Sequence, residues 1–176
     1  SRRDKNWTCY FEGHHTDKGE QKAESMAAGD CGTRREYRLA LAATAEYTNF
    51  HGGTVALALA AMNTTMNRVN AVYERDCSIR MNLIADTDDL IYTDAMTDPY
   101  TNGNTGAMIG ENQSNVDTEI GGANYDIGHV FGLNSGGLAS LGVVCSGSKA
   151  RGVTGSGSPI GDPFDIDYVA HEMGHQ

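Results

Sequence analysis

The fold is decided by residues 35–83, which read REYRLALAATAEYTNFHGGTVALALAAMNTTMNRVNAVYERDCSIRMNL. Apolar and polar residues first alternate over 35–41, as in a strand with one buried face. After the turn at Gly52-Gly53, apolar residues recur every three or four positions, as in a long amphipathic helix that begins near Thr54. Alternation then returns in the last five residues. The stretch therefore predicts a β-α-β unit with a right-handed crossover.

Shorter elements are predicted in the rest of the chain. The pattern indicates a short third strand at 90–92, a helix at about 110–121, and strands at 127–133 and 138–144. A glycine-rich segment, 152–161, then leads into a last helix. The expected fold class is α/β (α+β): a twisted, mixed, mainly parallel sheet of about five strands, with a long backing helix and a final helix.

The last six residues, HEMGHQ, carry an HExxH string. On an α-helix, His171 and His175 leave the same face one turn apart, so both imidazoles can bind one Zn²⁺. Glu172 is placed to take a proton from a zinc-bound water, whose pKa the metal can lower to roughly 7. A catalytic zinc normally has three protein ligands, so the two histidines supply only part of a site. The alternative is two surface histidines on an ordinary helix.

The start of this last helix is also predicted. Asp162 suits the N-cap and Pro163 the first helical position. One face of the helix would carry Phe164, Tyr168, His171 and His175, and an apolar face would carry Ile166, Val169 and Met173. A further histidine, His129, lies inside a predicted strand. A lone histidine in a strand is usually a packing residue, so it is not assigned as a ligand.

Composition limits the classes of function. With 176 residues, of which 39% are hydrophobic, the chain suits one domain with a sizeable core. A net charge of −10 argues against nucleic acid or an anionic membrane as a partner. No stretch has the ~20 apolar residues of a transmembrane helix. The start, SRRDKNW, lacks the apolar core of a signal peptide, so an export signal is expected to have been removed or to lie upstream.

Domain boundaries and cysteines follow from the same pass along the chain. Residues 1–33 are expected to form a polar arm, and residues 34–176 the domain proper. Four cysteines form no CxxC pair, which favours disulfides over a cysteine zinc site. Of the three connectivities, Cys9 with Cys31 and Cys77 with Cys145 is the preferred one. Four buried free thiols in a reducing compartment are the alternative.

An acidic cluster surrounds the predicted third strand. Loops rich in carboxylates can bind Ca²⁺, but the spacing matches no EF-hand loop, and solvated turn carboxylates are the favoured interpretation. The members of this cluster are Asp86, Asp88, Asp89, Asp94 and Asp98.

The order of elements, ending in an HExGH helix, resembles that of the metzincin zinc endopeptidases, within them the secreted reprolysin-like (adamalysin-like) branch and most closely its bacterial members. Three stretches carry the resemblance, and they are CGTRREYRLALAATAEYTNFHGG (31–53), ANYDIGHVFG (123–132) and GDPFDIDYVAHEMGHQ (161–176). The resemblance implies that His171 and His175 bind zinc, that Glu172 is the general base, and that extended peptides or proteins are cut internally outside the cell.

The family pattern continues after Gln176 with a third histidine and a methionine-containing turn, so the third ligand is expected beyond this sequence. The edge strand that aligns the substrate would correspond to about 138–144, through β-augmentation. Three alternatives remain open: a non-catalytic fragment acting as a binding or assembly module, a gluzincin whose third ligand is a downstream glutamate, and a structural protein that keeps a relic HExGH. The preferred side chain at the cleavage site and the oligomeric state are not determined.

Overall fold

The computed structural model describes residues 9–12 and 33–176. The predicted polar arm, 1–33, therefore lies largely outside the described residues. So does the predicted disulfide between Cys9 and Cys31.

The described strands form one sheet with helices on both of its faces. The elements, in chain order, are β1 (Cys9–Glu12), β2 (Arg35–Ala43), α1 (Ala45–Phe50), α2 (Val55–Cys77), β3 (Ile79–Leu83), a 3-10 helix (Thr87–Leu90), α3 (Thr105–Glu119), β4 (Ile127–Leu133), β5 (Gly136–Ser140), β6 (Gly152–Ser156), α4 (Asp162–Phe164), a π-helical turn (Asp165–Val169) and α5 (Ala170–His175). The strand order is β1-β5-β6-β4-β2-β3. Only the β5–β6 pairing is antiparallel. The predicted α/β (α+β) class and the mainly parallel sheet are confirmed. Residues 33–176 supply five strands, and β1 adds a sixth.

The β-α-β unit is present as predicted. Strands β2 and β3 pair in parallel on either side of α2 in the chain. The helix begins as expected, because the side chain of Thr54 caps it by accepting a hydrogen bond from Leu57 N at 3.3 Å. Strand β2, the first strand of this unit, has exposed residues only up to Arg38, and from Leu39 to Ala43 both of its faces are buried. Helices cover both sides of the sheet at that point.

Two apolar clusters fill the space between sheet and helices. On one face, residues of α2 and of the final helical segments pack against β2 and β4 through side chains such as Leu41, Met62 and Phe131. On the other face, α3 packs against the residues of β2 and β4 that point the opposite way, and Ala42, Met108 and Val130 are among the side chains in contact. Because neighbouring residues of a strand point to opposite faces, β2 contributes to both clusters.

Three predicted elements differ from those observed. The short strand predicted at 90–92 is wrong: its first residue ends a 3-10 helix, and Ile91 makes a single bridge to Ala43. The strand predicted at 138–144 is β5, which lies at Gly136–Ser140 and is followed by a turn. The helix predicted from about 110 begins at Thr105, since Asn104 caps it through Ala107 N at 3.2 Å.

The glycine-rich segment before the last helix contains a strand that sequence patterns did not predict. Strand β6 lies between β4 and β5, so it is central in the sheet. A Cβ added at Gly155 would lie 1.8 Å from Ser135 Oγ. The glycines therefore allow close packing of the backbone here, whereas glycine in a sequence usually indicates a loop.

The predicted pairing of Cys77 with Cys145 is wrong, because both are exposed free cysteines. Cys77 ends α2, and the carbonyl of the next residue, Ser78, accepts a hydrogen bond from Arg35 N. Cys145 N donates to Asp126 O, and Asp126 N in turn donates to Arg38 O. The two anchor residues of β2, Arg35 and Arg38, are three positions apart, which is roughly 10 Å along the strand. A disulfide needs Cα atoms within about 7 Å of each other.

No helix in the described part of the chain combines the length and the apolar character that crossing a membrane requires.

Asn70 joins α2 to β3 and gives a test of this packing. Its buried side chain donates to Met81 O at 2.8 Å and accepts from Met81 N at 2.9 Å. Asn70→Ala would leave both backbone groups without this partner, so we expect the free energy of unfolding to fall by about 1–3 kcal/mol in chemical denaturation. The control is Asn63→Ala, which removes a similar bond on the exposed face of the same helix and should change stability by less than ~0.5 kcal/mol. Equal effects of the two substitutions would contradict this role.

Candidate active site

The final helical run, residues 162–175, brings the HExxH residues to the sheet. Its start differs from the prediction: Gly161, with a φ of 72°, is the N-cap, and Asp162 already lies inside the helix. The carbonyl of Gly161 accepts hydrogen bonds from the N–H groups of Phe164 and Asp165. The positive φ explains the glycine at this position. Pro163 lies in the first turn, as predicted.

A π-helical turn at Asp165–Val169 changes which residues share a face. Ala170 N donates to Asp165 O, so one additional residue is inserted into the turn. Phe164 was predicted on the same face as the histidines, but it lies in the core instead. Its ring centroid there is 5.3 Å from that of Phe131. Val169 belongs to the same cluster, as the pattern indicated.

Polar contacts from α2 hold this run in place. Asp165, which is 2% exposed, accepts a hydrogen bond from Thr65 Oγ1 at 2.7 Å and forms an ion pair with Arg68 Nε at 2.9 Å. The same arginine also pairs with Asp162. Further along, Tyr73 Oη donates to Ala170 O at 2.7 Å. The helix that carries the histidines is thus fixed along one side before the first histidine.

The two histidines of the motif converge. His171 Nε2 and His175 Nε2 are 2.9 Å apart, and the two rings are nearly perpendicular, with an interplanar angle of 89°. Two nitrogens bound to one tetrahedral Zn²⁺ at about 2.0–2.1 Å would lie roughly 3.3–3.4 Å apart. A small opening of the pair would therefore accommodate the ion, and the donor set fits zinc.

Electrostatics around the pair favour ligand binding. Burial, and secondly the neighbouring His171, lower the pKa of His175 below its ordinary value. A lower pKa favours the neutral ring, and only a neutral imidazole has a lone pair for a metal. Both rings are partly exposed, so an ion and a substrate can reach them.

Glu172 lies against strand β5. It is fully buried, and a Cβ added at Gly137 would lie 2.1 Å from its Oε1 and 2.4 Å from Cε2 of Tyr168. The absence of a side chain at Gly137 therefore provides the space for the carboxylate. The predicted strands, 127–133 and 138–144, leave Gly136-Gly137 outside both, so the sequence did not reveal this role, although the glycine pair stands directly before an apolar run.

A second polar cluster lies one residue beyond the motif. His129, fully buried on β4, contacts Gln176 Oε1 through Nδ1 at 2.6 Å and Thr154 Oγ1 through Nε2 at 2.8 Å. Burial lowers the pKa of His129 to about 4, so its ring is neutral at physiological pH. His129 is not next to the metal-binding pair in the sequence, and the pattern of its strand gave no sign of a contact with the last residue.

Two of the acidic residues considered for Ca²⁺, Asp94 and Asp98, accept hydrogen bonds from backbone N–H groups. Asp98 accepts hydrogen bonds from Ala45 N and Tyr100 N, each at 2.8 Å, and Asp94 accepts one from Met96 N at 2.9 Å. Within the described residues, no three His, Cys, Asp or Glu side chains come together as a metal site. The structure therefore gives no support to calcium, and the two histidines could supply two ligands of a zinc site rather than a full set.

A family model described as metallo-peptidase family M12B, reprolysin-like, matches residues 33–176. None of the curated proteins matches the chain.

The clearance at Gly137 can be tested by stability. Gly137→Ala would place a methyl group on the Glu172 carboxyl group and the Tyr168 ring, so we expect the free energy of unfolding to fall by about 1–3 kcal/mol. Gly110→Ala is the matched control, since a Cβ there meets nothing within 4 Å inside α3, and it should raise stability by about 0.5–1 kcal/mol. If Gly137→Ala proved as harmless as Gly110→Ala, the contact with Glu172 would be absent.

Proposed function

The chain belongs to the reprolysin-like M12B family of metallopeptidases, and we propose that it acts as a secreted zinc-dependent endopeptidase. The family uses zinc and acts on peptides or proteins. Because the chain belongs to this family, a branch of the metzincins, the alternative of a gluzincin with a downstream glutamate ligand is not favoured. The observation that carries the proposal is the convergence of His171 Nε2 and His175 Nε2 on one point, with Glu172, which lies between them in the sequence, buried against β5.

In this proposal His171 and His175 hold the zinc. When bound, Zn²⁺ supplies a Lewis acid that polarises the scissile carbonyl and makes a water more acidic. Glu172 is the general base: its carboxylate takes a proton from the attacking water and passes it to the leaving amine. Because Gly137 has no side chain, the Glu172 carboxylate can lie close to β5. The Tyr168 ring packs against the same glycine and restricts the movement of the carboxylate. The third ligand is the histidine that the family pattern places after Gln176.

The substrate is proposed to bind along β5 as an additional strand. The strand predicted at the edge of the sheet corresponds to β5, which is antiparallel to β6 and carries Gly137 against Glu172. In the described sheet β5 is not an edge strand, because β1 lies outside it. The outer edge of β5 pairs in parallel with β1, with Cys9 opposite Gly137 and Glu12 opposite Ser140. An extended peptide that uses this edge must therefore displace β1, because a strand edge can pair with only one partner at a time.

Secretion enters the proposal through the resemblance to secreted reprolysin-like enzymes. The exposed free thiols of Cys77 and Cys145 lend it no support. We expect neither nucleic acid nor an anionic membrane surface as a partner, because the whole chain carries a net charge of −10.

Replacing the proposed base separates metal binding from turnover. Glu172→Gln should keep zinc at the level of the parent, because the carboxylate is not a ligand, and should lower kcat by about 10²–10⁴. The measurement combines zinc content by elemental analysis with hydrolysis of a quenched peptide, in a chain extended through the expected third ligand. Asp167→Asn removes the same charge from an exposed position of the same helical run and should leave both values unchanged. Turnover by Glu172→Gln at the rate of the parent would show that another group is the base.

Competition between β1 and substrate predicts an effect of truncation. Removal of all residues through Glu12 should lower KM for an extended peptide several-fold, since no pairing with β5 has to be broken first. Removal through Thr8 only, which leaves β1 in place, is the control and should leave KM unchanged. Equal KM values for the two truncated forms would mean that the substrate does not use this edge.

A further inference from the structure

The carboxyl end of α5 is joined to the sheet immediately after the second proposed ligand. Gly142 N donates to His175 O at 2.8 Å, and Val144 N donates to Gln176 O at 3.0 Å. These bonds satisfy carbonyls that have no partner inside a helix. The turn after β5 therefore holds the backbone that directly follows the His175 side chain.

The side chain of Gln176 extends this attachment into the sheet. It is 7% exposed, and its Nε2 donates to Gly128 O at 2.8 Å and lies 3.4 Å from Lys149 O. With two carbonyls facing the amide nitrogen, the amide oxygen must face His129. Gln176 thus reaches β4 through both ends of its amide group.

This orientation fixes the tautomer of His129. The amide oxygen of Gln176 can only accept, so His129 Nδ1 carries the proton and donates across 2.6 Å. In the neutral ring, Nε2 is then an acceptor and receives the hydroxyl proton of Thr154. Every polar atom of the ring is satisfied in this arrangement, as a fully buried group requires.

The sheet leaves room for this hydrogen bond and for no side chain beside it. A Cβ added at Gly152 would lie 2.1 Å from Gln176 Oε1 and 2.4 Å from His129 Nδ1. The glycine has no positive φ that would explain it otherwise. The site for the amide group of Gln176 is thus built by three strand residues: Gly128, His129 and Gly152.

We propose that His129 is a positioning residue for the zinc site, which acts through its hydrogen bond to Gln176 to fix the end of α5 and with it the direction of the His175 ring. The inference deepens the proposed function and rests on it. Without the bond, the amide of Gln176 would lose its buried acceptor site and the last turn of α5 could shift or fray. A ligand is effective only when its ring is held toward the metal, and groups that orient ligands typically change metal affinity by about 10–100-fold.

Four variants of the full-length protein test this role. His129→Leu and Gln176→Leu remove the hydrogen bond, and His129→Asn keeps an N–H donor close to the position of Nδ1. Thr154→Val is the matched control, because it removes a buried hydrogen bond of the same ring but leaves the bond to Gln176 intact. Two quantities are measured: the Kd for Zn²⁺ by competition with a chelator, and amide hydrogen exchange of Gly142 and Val144 in the zinc-free protein.

We expect His129→Leu and Gln176→Leu to weaken zinc binding at least about 10-fold and to speed exchange at both amides. His129→Asn should recover most of the affinity, and Thr154→Val should stay within about threefold of the parent in both quantities. If the leucine variants weakened zinc binding no more than Thr154→Val and left exchange unchanged, His129 would be a packing residue only. Should His129→Leu not fold, Gln176→Leu and His129→Asn decide between the same two outcomes.

Failure of the proposed function would look different. In that case the parent itself would show no zinc-dependent hydrolysis of peptides. The exchange measurement needs neither zinc nor a substrate, so it would still show whether His129 fixes the end of α5.

Discussion

The close approach of the final helical run to the sheet is the constraint on which the site depends. At two points the approach is too close for a side chain on the strand. A Cβ at Gly137 of β5 would lie 2.1 Å from Glu172 Oε1, and a Cβ at Gly152 of β6 would lie 2.1 Å from Oε1 of Gln176, the residue after the run. Glu172 and Gln176 reach the sheet because these glycines leave space. His171 and His175, which directly precede these two residues in the sequence, stay partly exposed, and their Nε2 atoms are directed at a common point. The contact of Glu172 and Gln176 with the sheet and the convergence of the two histidine rings therefore both depend on how closely this segment approaches the sheet.

Features that depend on local periodicity could be predicted from the sequence. Strand β2, helix α2 and strand β3 were recognised because each buries a regular series of side chains, and β4 was predicted with its observed limits. The convergence of His171 and His175 follows from helical spacing of four residues, which the sequence displays directly. The family resemblance agreed with this, and it is supported by a match over residues 33–176.

Features that depend on tertiary contacts could not be predicted. Strand β6 contains two glycines because Ser135 packs against Gly155 and the Gln176 amide against Gly152, and glycine has no periodic signal of its own. The π-helical turn moves Phe164 into the core, and nothing in a hydrophobic pattern reveals one inserted residue. The contact of His129 with Gln176 joins residues 47 positions apart. The proposed disulfide failed for a similar reason, since spacing in sequence says little about distance across a sheet.

The account as a whole treats residues 162–176 as a unit that is held from both sides. Thr65, Arg68 and Tyr73 of α2 bind its first part, and the strands bind its last part. X-ray absorption at the zinc edge tests the central claim most directly. The account predicts imidazole nitrogens at about 2.0–2.1 Å, and loss of that signal when His171 and His175 are both replaced by alanine. Zinc that kept its ligands in the double variant, or that showed sulfur at about 2.3 Å, would contradict it.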